Sequence, residues 1–296
     1  MDDRVHVCYC VNRKVLLPLC VSAHSAASSL GGRNLSIWVF HEDYTSENEQ
    51  AVRDVLRPFD DVELTFREVS LADLAGLPGL HGEVIPLAKP LIPRLLEGEV
   101  RRVVYLDADT IVIGGLDDLY HHSLEGYVVG AVSYETLGEA YTRDFFASQD
   151  LDLDEKAFNS GVLLIDVDAW NERGLTSDVL FFLKANASKY DGADQASLNV
   201  IFHKRFLPLR IRYNKRANPG RKLDDKHVQD GILHFVGIPK PWDPGGRWLN
   251  RNYPHYKVHR ERAQITSRSV WGKVRDTGWR RMIKGLRAGL RVALSR

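Results

Sequence analysis

The chain has 296 residues, of which 44% are hydrophobic and 27% charged, and its 40 Lys and Arg residues nearly balance 39 Asp and Glu residues. This composition is typical of a soluble globular protein, and the length allows one large α/β domain, alone or with an appendage. The sequence contains no apolar run near the roughly 18 residues of a membrane-spanning helix, and residues 1–4 do not resemble a signal peptide.

Strand and helix patterns alternate through the first part of the chain. The predicted strands are residues 5–11, 35–40, 62–69 and 103–106, and the predicted helices are residues 16–30, 46–56 and 91–96. Ser46 and Glu49 have the spacing of a capping box at the start of the second helix. This alternation predicts a parallel sheet with right-handed crossovers, in which ligands bind beyond the carboxyl ends of the strands.

The second part of the chain is less regular. Residues 161–166 and 232–235 have the pattern of buried strands, residues 176–184 and 195–203 have that of helices, and residues 214–230 are polar and irregular. The three cysteines, Cys8, Cys10 and Cys20, all lie near the N-terminus and have no distant partner. They therefore support neither a disulfide framework nor a zinc site, and we expect reduced thiols.

Residues 101–112 are the most informative stretch, because a short apolar strand pattern ends there on Asp107 and Asp109. Along a strand this spacing puts both carboxylates on one face. Two like charges held together are costly unless a positive charge lies between them. A divalent cation that also binds phosphate is the natural counter-charge, although a lone Asp-x-Asp is more often an acidic turn.

Three later motifs follow this pair. They are residues 158–162 (Phe-Asn-Ser-Gly-Val), residues 191–195 (Asp-Gly-Ala-Asp-Gln) with Asn199, and residues 234–242 (His-Phe-Val-Gly-Ile-Pro-Lys-Pro-Trp). In this order and at these spacings, the four segments resemble glycosyltransferase family 8, which includes bacterial lipopolysaccharide galactosyl- and glucosyltransferases and, more distantly, glycogenin. The resemblance runs over residues 5–242.

The resemblance implies a GT-A fold, that is, an α/β fold with a Rossmann-like, mostly parallel central sheet flanked by helices. It also implies a UDP-sugar donor, a metal ion and transfer with retention at the anomeric carbon. By motif, Asp107, Asp109 and His234 would bind the metal. Two carboxylates and an imidazole suit Mn²⁺ better than Mg²⁺, which seldom takes nitrogen ligands.

The resemblance assigns further roles by motif. Gln195 would act on the β face of the donor sugar and stabilise charge there, with Asp194 and Asn159 holding the sugar hydroxyls. A side-chain amide is a poor nucleophile, so departure and attack on the same face is preferred to a covalent intermediate. The residues implied in binding the nucleotide-sugar are Cys10, Val11, Asn12, Lys89, Leu106, Ala108, Gly237 and Lys240.

Several of these residues have simpler structural interpretations. His234 could be a satisfied core histidine, Lys240 a solvated turn lysine, Asn159 a turn residue and Asp194 a helix N-cap. Each interpretation is reasonable alone, but together they would have to coincide in order with the pattern of one family.

Three positions depart from the family pattern. Asn12 stands where members commonly carry an Asp that contacts uracil, Lys89 stands where a Tyr-x-Arg or Tyr-Tyr-Arg motif supplies an arginine, and Ala196 stands where an acidic residue is frequent. Asn12 can still pair with an imide edge, whereas Lys89 keeps the charge without the planar fork of arginine. These departures bear on which base and sugar are bound.

Charge is unevenly distributed along the chain. Residues 260–296 carry 11 Lys and Arg against 2 Asp and Glu, whereas residues 1–259 carry 29 against 37. Residues 270–296 mix apolar and basic side chains at helical spacing, which is typical of a helix on an anionic membrane surface. We therefore predict a catalytic domain at 1–258 and a basic amphipathic tail at 259–296. A solvated tail, or one packed on the body, is the alternative, and no nucleic-acid recognition motif accompanies the charge.

The sequence thus predicts a metal-dependent retaining transferase that moves galactose or glucose from a UDP-sugar to a glycan or glycolipid acceptor such as lipopolysaccharide. Its expected location is the cytoplasm, peripheral on the inner face of the cytoplasmic membrane. The alternatives are a degenerate member that binds nucleotide-sugar or membrane without turnover, and a nucleotidyltransferase, whose Gly-rich basic first loop is missing here. His81, in the loop before Lys89, is a candidate for facing the acceptor.

Overall fold

A computed structural model describes residues 4–77, 83–189 and 193–265. Within these residues the strands are β1 Val5–Val11, β2 Leu35–His41, β3 Val62–Glu68, β4 Arg102–Leu106, β5 Thr110–Val112, β6 Val129–Thr136, β7 Lys156–Asp166, β8 Leu207–Pro208, β9 Lys215–Arg216 and β10 Ile232–His234. The α-helices are α1 Leu16–Leu30, α2 Ser46–Leu56, α3 Ile92–Leu95, α4 Leu116–Tyr120, α5 Arg143–Ser148, α6 Val167–Glu172, α7 Leu175–Asn186, α8 Ala193–Ile201, α9 Gly246–Leu249 and α10 Tyr253–Arg262.

The central sheet has seven strands in the order β3-β2-β1-β4-β7-β6-β8. Strands β3, β2, β1 and β4 are mutually parallel, as the alternating pattern predicts. Strand β7 runs antiparallel to both of its neighbours, β4 and β6. A second sheet, β5-β10-β9, lies beyond the end of β4 and joins the late part of the chain to the segment that follows β4.

Strand β7 is longer than the sequence predicts, because it begins at Lys156 rather than at residue 161. Asn159, Ser160 and Gly161 are residues of low strand propensity and are common in turns. Here they lie inside the strand, where Asn159 pairs with Val132 of β6 next to a shift in the strand register. The register shift interrupts the regular hydrogen-bond ladder beside these polar residues. Such irregularities are common next to active sites, so this part of β7 is a candidate for a functional role.

Two hydrophobic layers cover the two faces of the sheet. Alternate residues of β1 enter opposite layers: Val7 and Tyr9 pack with α1 and α2, whereas Cys8 packs with residues of α3, α6 and α7. This is the period-two alternation expected of a strand that is buried on both faces. The layers hold the strand ends rigidly, so the loops that follow β1, β4 and β7 have fixed starting points.

The predicted helices are present, but α8 begins and ends two residues earlier than the predicted 195–203, and the start of α2 also differs from the prediction. Ser46 is the first helical residue, and Thr45 before it is the N-cap. The backbone N–H of Thr45 donates to Asn48 Oδ1 at 3.2 Å, so Asn48 rather than Glu49 occupies the third helical position of the capping box. Threonine is also a preferred N-cap residue, and the hydrogen bonds place the box one residue earlier than the sequence pattern suggests.

Helix α10 runs continuously through residues 258 and 259, where the charge distribution places the end of the catalytic domain. Tyr256 and Ala263, on either side of that boundary, are both buried in the core cluster that contains α1. Residues 266–296, which hold most of the predicted tail, and His81 lie outside the described residues. No helix within the described part of the chain is both long and apolar enough to cross a bilayer.

Candidate active site

The two sheets meet at the segment after β4, and this junction brings the predicted metal ligands together. Asp107 and Asp109 lie between β4 and β5, and His234 is the last residue of β10. Antiparallel pairing puts His234 opposite Thr110, and the Phe235 N–H donates to the Asp109 carbonyl at 2.9 Å. The late strand therefore carries an imidazole to a fixed position beside the two carboxylates.

Asp107, Asp109 and His234 form a compact group in which one ligand atom from each residue lies within 4.8 Å of the others. His234 Nε2 is 3.1 Å from Asp109 Oδ1 and 3.7 Å from Asp107 Oδ2. Asp109 Oδ1 is buried and accepts no hydrogen bond from the residues that the structure describes. A buried carboxylate oxygen without a donor is costly, and a divalent cation bound by two carboxylates and an imidazole would satisfy it.

Lys240 contacts the other oxygen of Asp109. Its ammonium donates to Asp109 Oδ2 at 2.6 Å and to the carbonyl of Phe235. Burial alone would raise the pKa of Asp109, but the adjacent ammonium of Lys240 holds that pKa well below its ordinary value. Asp109 is therefore an anion in the folded protein, and Lys240 is a fixed positive group beside it.

Lys89 lies beneath the carboxylates and is only 3% exposed. Its ammonium donates to the Ser160 carbonyl at 2.9 Å, to Ser160 Oγ at 3.1 Å and to Asp194 Oδ2 at 2.9 Å, and it lies 3.6 Å from Asp107 Oδ1. Three protein acceptors match the three protons of an ammonium. Burial lowers the pKa of Lys89, but Asp107 and Asp194 outweigh burial and raise it overall. Lys89 thus acts on the site by holding Asp194 and the Ser160 backbone.

The three predicted catalytic residues come together on the other side of the carboxylates. Asn159 Nδ2 donates to Gln195 Oε1 at 2.9 Å, and the Ser160 N–H donates to the same oxygen at 3.2 Å. Asp194 is 6% exposed and lies in the first turn of α8. It is inside the helix rather than at the N-cap, and its partners are Lys89 and Ser160.

Cys10, Val11 and Asn12 lie at the carboxyl end of β1, as predicted for a nucleotide-binding edge. Asn12 Nδ2 donates to Glu83 Oε2 at 2.7 Å and to Glu42 Oε1 at 3.1 Å, and Asn12 Oδ1 accepts from the Lys14 N–H at 3.1 Å. The amide of Asn12 is thus fully hydrogen-bonded within the protein. The sequence gives no local signal for the two glutamates, which come from distant loops.

Two glycines leave room for the site. A Cβ atom on Gly161 would lie 2.2 Å from His234 Cε1 and 2.8 Å from Asp107 Oδ2, so only glycine allows β7 this close to these two side chains. Gly237 has a φ of +74°, a conformation that favours glycine. The remaining predicted binding residues, Leu106 and Ala108, flank Asp107: Leu106 is the buried last residue of β4, and Ala108 is half-buried in the loop that follows.

Sequence reasoning did not assign roles to Gly161, Tyr105 and Asn214. The Tyr105 hydroxyl donates to Asp107 Oδ1 at 2.5 Å. Asn214 is fully buried and lies 3.0 Å from His234 Nδ1. The position of Gly161 at the start of the predicted strand 161–166 was a signal that could have identified it. Asn214 falls in a stretch without regular pattern, where residue spacing does not predict side-chain contacts.

Solved structures share this architecture. Galactosyltransferase LgtC, crystallised in complex with donor and acceptor sugar analogs, superposes with a TM-score of 0.76 at 20% identity, covering 91% of this chain and all of that one. The bifunctional glycosyltransferase WbbM superposes with a TM-score of 0.72 at 17% identity, covering 93% of this chain and 52% of that one. The fold is therefore the GT-A fold of these proteins, an α/β fold with a mostly parallel central sheet.

The family model described as Glycosyl transferase family 8 matches residues 6–245, and the chain belongs to this family. General stress protein A of Bacillus subtilis is 28% identical over 56% of this chain and 62% of its own length. Lipopolysaccharide 1,2-glucosyltransferase of Escherichia coli is 29% identical over 57% of this chain and 52% of its own length. The chain thus spans less than two thirds of these two relatives.

Proposed function

We propose that this protein is a metal-dependent glycosyltransferase that moves a hexose, galactose or glucose, from a UDP-sugar to a glycan acceptor such as lipopolysaccharide. The observation that carries the proposal is the compact group of Asp107, Asp109 and His234, in which Asp109 Oδ1 is buried without a hydrogen-bond donor among the described residues. The lipopolysaccharide 1,3-galactosyltransferase of Salmonella typhimurium, 21% identical over 91% of this chain and 80% of its own length, supports the choice of sugar and acceptor.

The metal we propose is Mn²⁺, held by Asp107, Asp109 and His234. When bound, it would neutralise the negative charge of the diphosphate leaving group. Lys240, already 2.6 Å from Asp109 Oδ2, would supply a further positive charge beside that group. Asp109 stays ionised next to Lys240, which keeps it able to bind a cation.

We propose transfer with retention through departure and attack on the same face of the sugar. Gln195 Oε1 accepts hydrogen bonds from Asn159 Nδ2 and from the Ser160 N–H, so both of its lone pairs are engaged. That oxygen is therefore a poor nucleophile, which argues against a covalent intermediate on Gln195. Its dipole stabilises positive charge at the sugar, Asp194 and Asn159 orient the hydroxyls, and an oxygen of the leaving UDP takes the acceptor proton.

A panel of nucleotide-sugars tests this proposal. Each donor is incubated with the protein and either Mn²⁺ or EDTA, and the released nucleoside diphosphate is measured with and without glycan acceptors. We expect release from UDP-galactose or UDP-glucose that requires Mn²⁺, and NMR of the product should show a retained anomeric configuration. Binding of intact UDP-sugar without any turnover would instead favour a degenerate member, and failure of every donor would overturn the transferase assignment.

We further propose that the basic residues beyond α10 attach the protein to the cytoplasmic face of an anionic membrane, where a lipid-linked acceptor would lie. Residues 266–296 carry 9 Lys and Arg against 1 Asp, and each basic residue near such a surface contributes about 1 kcal/mol. A truncation after residue 265 preserves buried Ala263. We expect the truncated protein to lose partition onto vesicles that contain phosphatidylserine, and unchanged partition would contradict this role.

A further inference from the structure

A continuous chain of side-chain amides connects Gln195 to His234. Gln195 Oε1 accepts from Asn159 Nδ2 at 2.9 Å, Asn159 Oδ1 accepts from Asn214 Nδ2 at 2.8 Å, and Asn214 Oδ1 lies 3.0 Å from His234 Nδ1. The four residues come from α8, β7, the segment before β9, and β10. Asn214 is 0% exposed and His234 is 5% exposed, so little water competes for these bonds.

Two backbone groups fix the direction of every hydrogen bond in this chain. The Gly161 N–H can only donate, and it donates to Asn159 Oδ1 at 3.1 Å. The Ser160 N–H also can only donate, so the Gln195 atom that it contacts must be the amide oxygen, Oε1. Because Asn159 presents its oxygen to Asn214, Asn214 presents its NH₂ group to Asn159 and its own oxygen to His234. An amide oxygen only accepts, so His234 Nδ1 must donate.

This direction determines where His234 keeps its lone pair. A neutral imidazole with its proton on Nδ1 has an unprotonated Nε2. That Nε2 atom faces Asp109 Oδ1 at 3.1 Å and Asp107 Oδ2 at 3.7 Å. The lone pairs of Asp107, Asp109 and His234 Nε2 then point into one space. None of these three atoms carries a proton to donate to the others, and such an arrangement binds a cation.

We propose that Asn214 is a positioning residue that holds His234 in the Nδ1–H tautomer and so presents Nε2 to the metal. The same amide chain ties the orientation of this ring to Gln195, beside which the sugar is proposed to react. The inference rests on the metal site of the proposed function. Loss of an outer hydrogen-bond partner of a metal-binding histidine typically costs about 10–100-fold in metal affinity.

The first test is the tautomer of His234 in the metal-free protein, where it can be read directly. Long-range ¹H–¹⁵N spectra of [¹⁵N]histidine-labelled protein, assigned with His234→Gln, should show a protonated Nδ1 in the wild type. In Asn214→Leu, which has a similar volume but no acceptor, the proton should redistribute toward Nε2. A wild-type His234 protonated on Nε2 would overturn the inference without any variant.

The second test is Mn²⁺ affinity in the presence of UDP, measured from the electron paramagnetic resonance signal of free Mn²⁺. Asn214→Leu should weaken binding about 10–100-fold, whereas Asn214→Asp, which keeps an acceptor for Nδ1–H, should bind within a few-fold of the wild type. Asn218→Leu, an exposed position on the same segment, is the matched control. Wild-type affinity in Asn214→Leu, or equal loss in both Asn214 variants, would overturn the inference.

The two tests separate this inference from the proposed function. If the wild-type protein fails to bind Mn²⁺ with UDP, the proposed metal site is wrong, whatever the tautomer of His234. If the wild type binds Mn²⁺ and the variants do not differ, the site stands and the role of Asn214 is wrong. Thermal unfolding of each variant shows whether a loss of binding reflects the site or the fold.

Discussion

The ammonium of Lys89 lies 2.9 Å from the carboxylate of Asp194, and both side chains are less than a tenth exposed. This buried ion pair joins the turn before α3 to the start of α8. It also fixes the helix end that carries Gln195. Because few water molecules reach either group, each charged side chain is stabilised in the folded protein mainly by the opposite charge of the other.

Removal of one member of this pair should therefore be costly. We expect Lys89→Met to reduce the free energy of unfolding by about 3–5 kcal/mol, because the buried Asp194 carboxylate would lose its counter-charge. Urea-induced unfolding measures the change. The exposed pair Lys204–Asp152 provides the control, since Lys204→Met should leave the unfolding midpoint nearly unchanged. Equal effects of the two substitutions would show that burial does not govern the Lys89 pair.

Gly161→Ala should damage the metal site without removing a ligand. The added methyl group would lie 2.2 Å from His234 Cε1, so the imidazole must move away from Asp107 and Asp109. We expect at least a tenfold loss of Mn²⁺ affinity, measured with UDP present. Gly220→Ala is the matched control, because a Cβ there meets nothing within 4 Å. Unchanged Mn²⁺ affinity in Gly161→Ala would mean that His234 does not contact the metal.

Asp109→Asn should abolish Mn²⁺-dependent binding of UDP. The substitution removes the charge that faces both His234 Nε2 and Lys240 Nζ, and an amide is a weaker ligand for a divalent cation than a carboxylate. Isothermal titration with UDP in Mn²⁺ or EDTA measures the effect. Asp154→Asn, at an exposed position, should titrate like the wild type. If Asp109→Asn binds UDP with the same dependence on Mn²⁺, the ligand assignment is wrong.

Acid should destabilise the fold through His259 on α10. Burial, together with the nearby Arg262, His24 and His255, lowers the pKa of His259 to about 4. In the unfolded chain a histidine titrates near pH 6.5. The unfolded state therefore binds more protons between these values, so this contribution to stability is intact above pH 6.5 and falls as the pH drops toward 4.

The variant His259→Gln tests this assignment. The free energy of unfolding is measured with urea at pH 7.5 and at pH 5. The loss between these two pH values should be about 1–2 kcal/mol smaller in the variant than in the wild type. The same difference in both proteins would show that other groups cause the acid sensitivity.

The fold was predictable from the sequence where local pattern and burial agree. Strands β1, β2 and β4 are apolar runs that end on polar residues, and their parallel order follows from the intervening helices. Strand β7 was only half predicted, because Asn159 and Ser160 have low strand propensity and are held by contacts with α8. Strand direction was also missed there, since pairing with β4 and β6 depends on contacts distant in sequence.

Asp107, Asp109 and His234 were predicted as metal ligands from motif order, and the structure brings these three side chains together. The supporting residues were not predicted. Asn214 reaches His234 from a segment of irregular pattern, and Glu83 reaches Asn12 across 71 positions. Such partners are chosen by tertiary geometry, and no spacing along the chain encodes them.

The pairing of β5 with β10 makes the metal site a property of the completed chain. Asp109 and Lys240 are 131 positions apart, and His234 reaches the carboxylates only after β10 has docked on β5. A nascent chain that ends before Ile232 would lack both the imidazole and the ammonium. Tight binding of the Mn²⁺ that we propose for this site would therefore report that β10 is in place, and it would serve as an assay for native assembly during refolding.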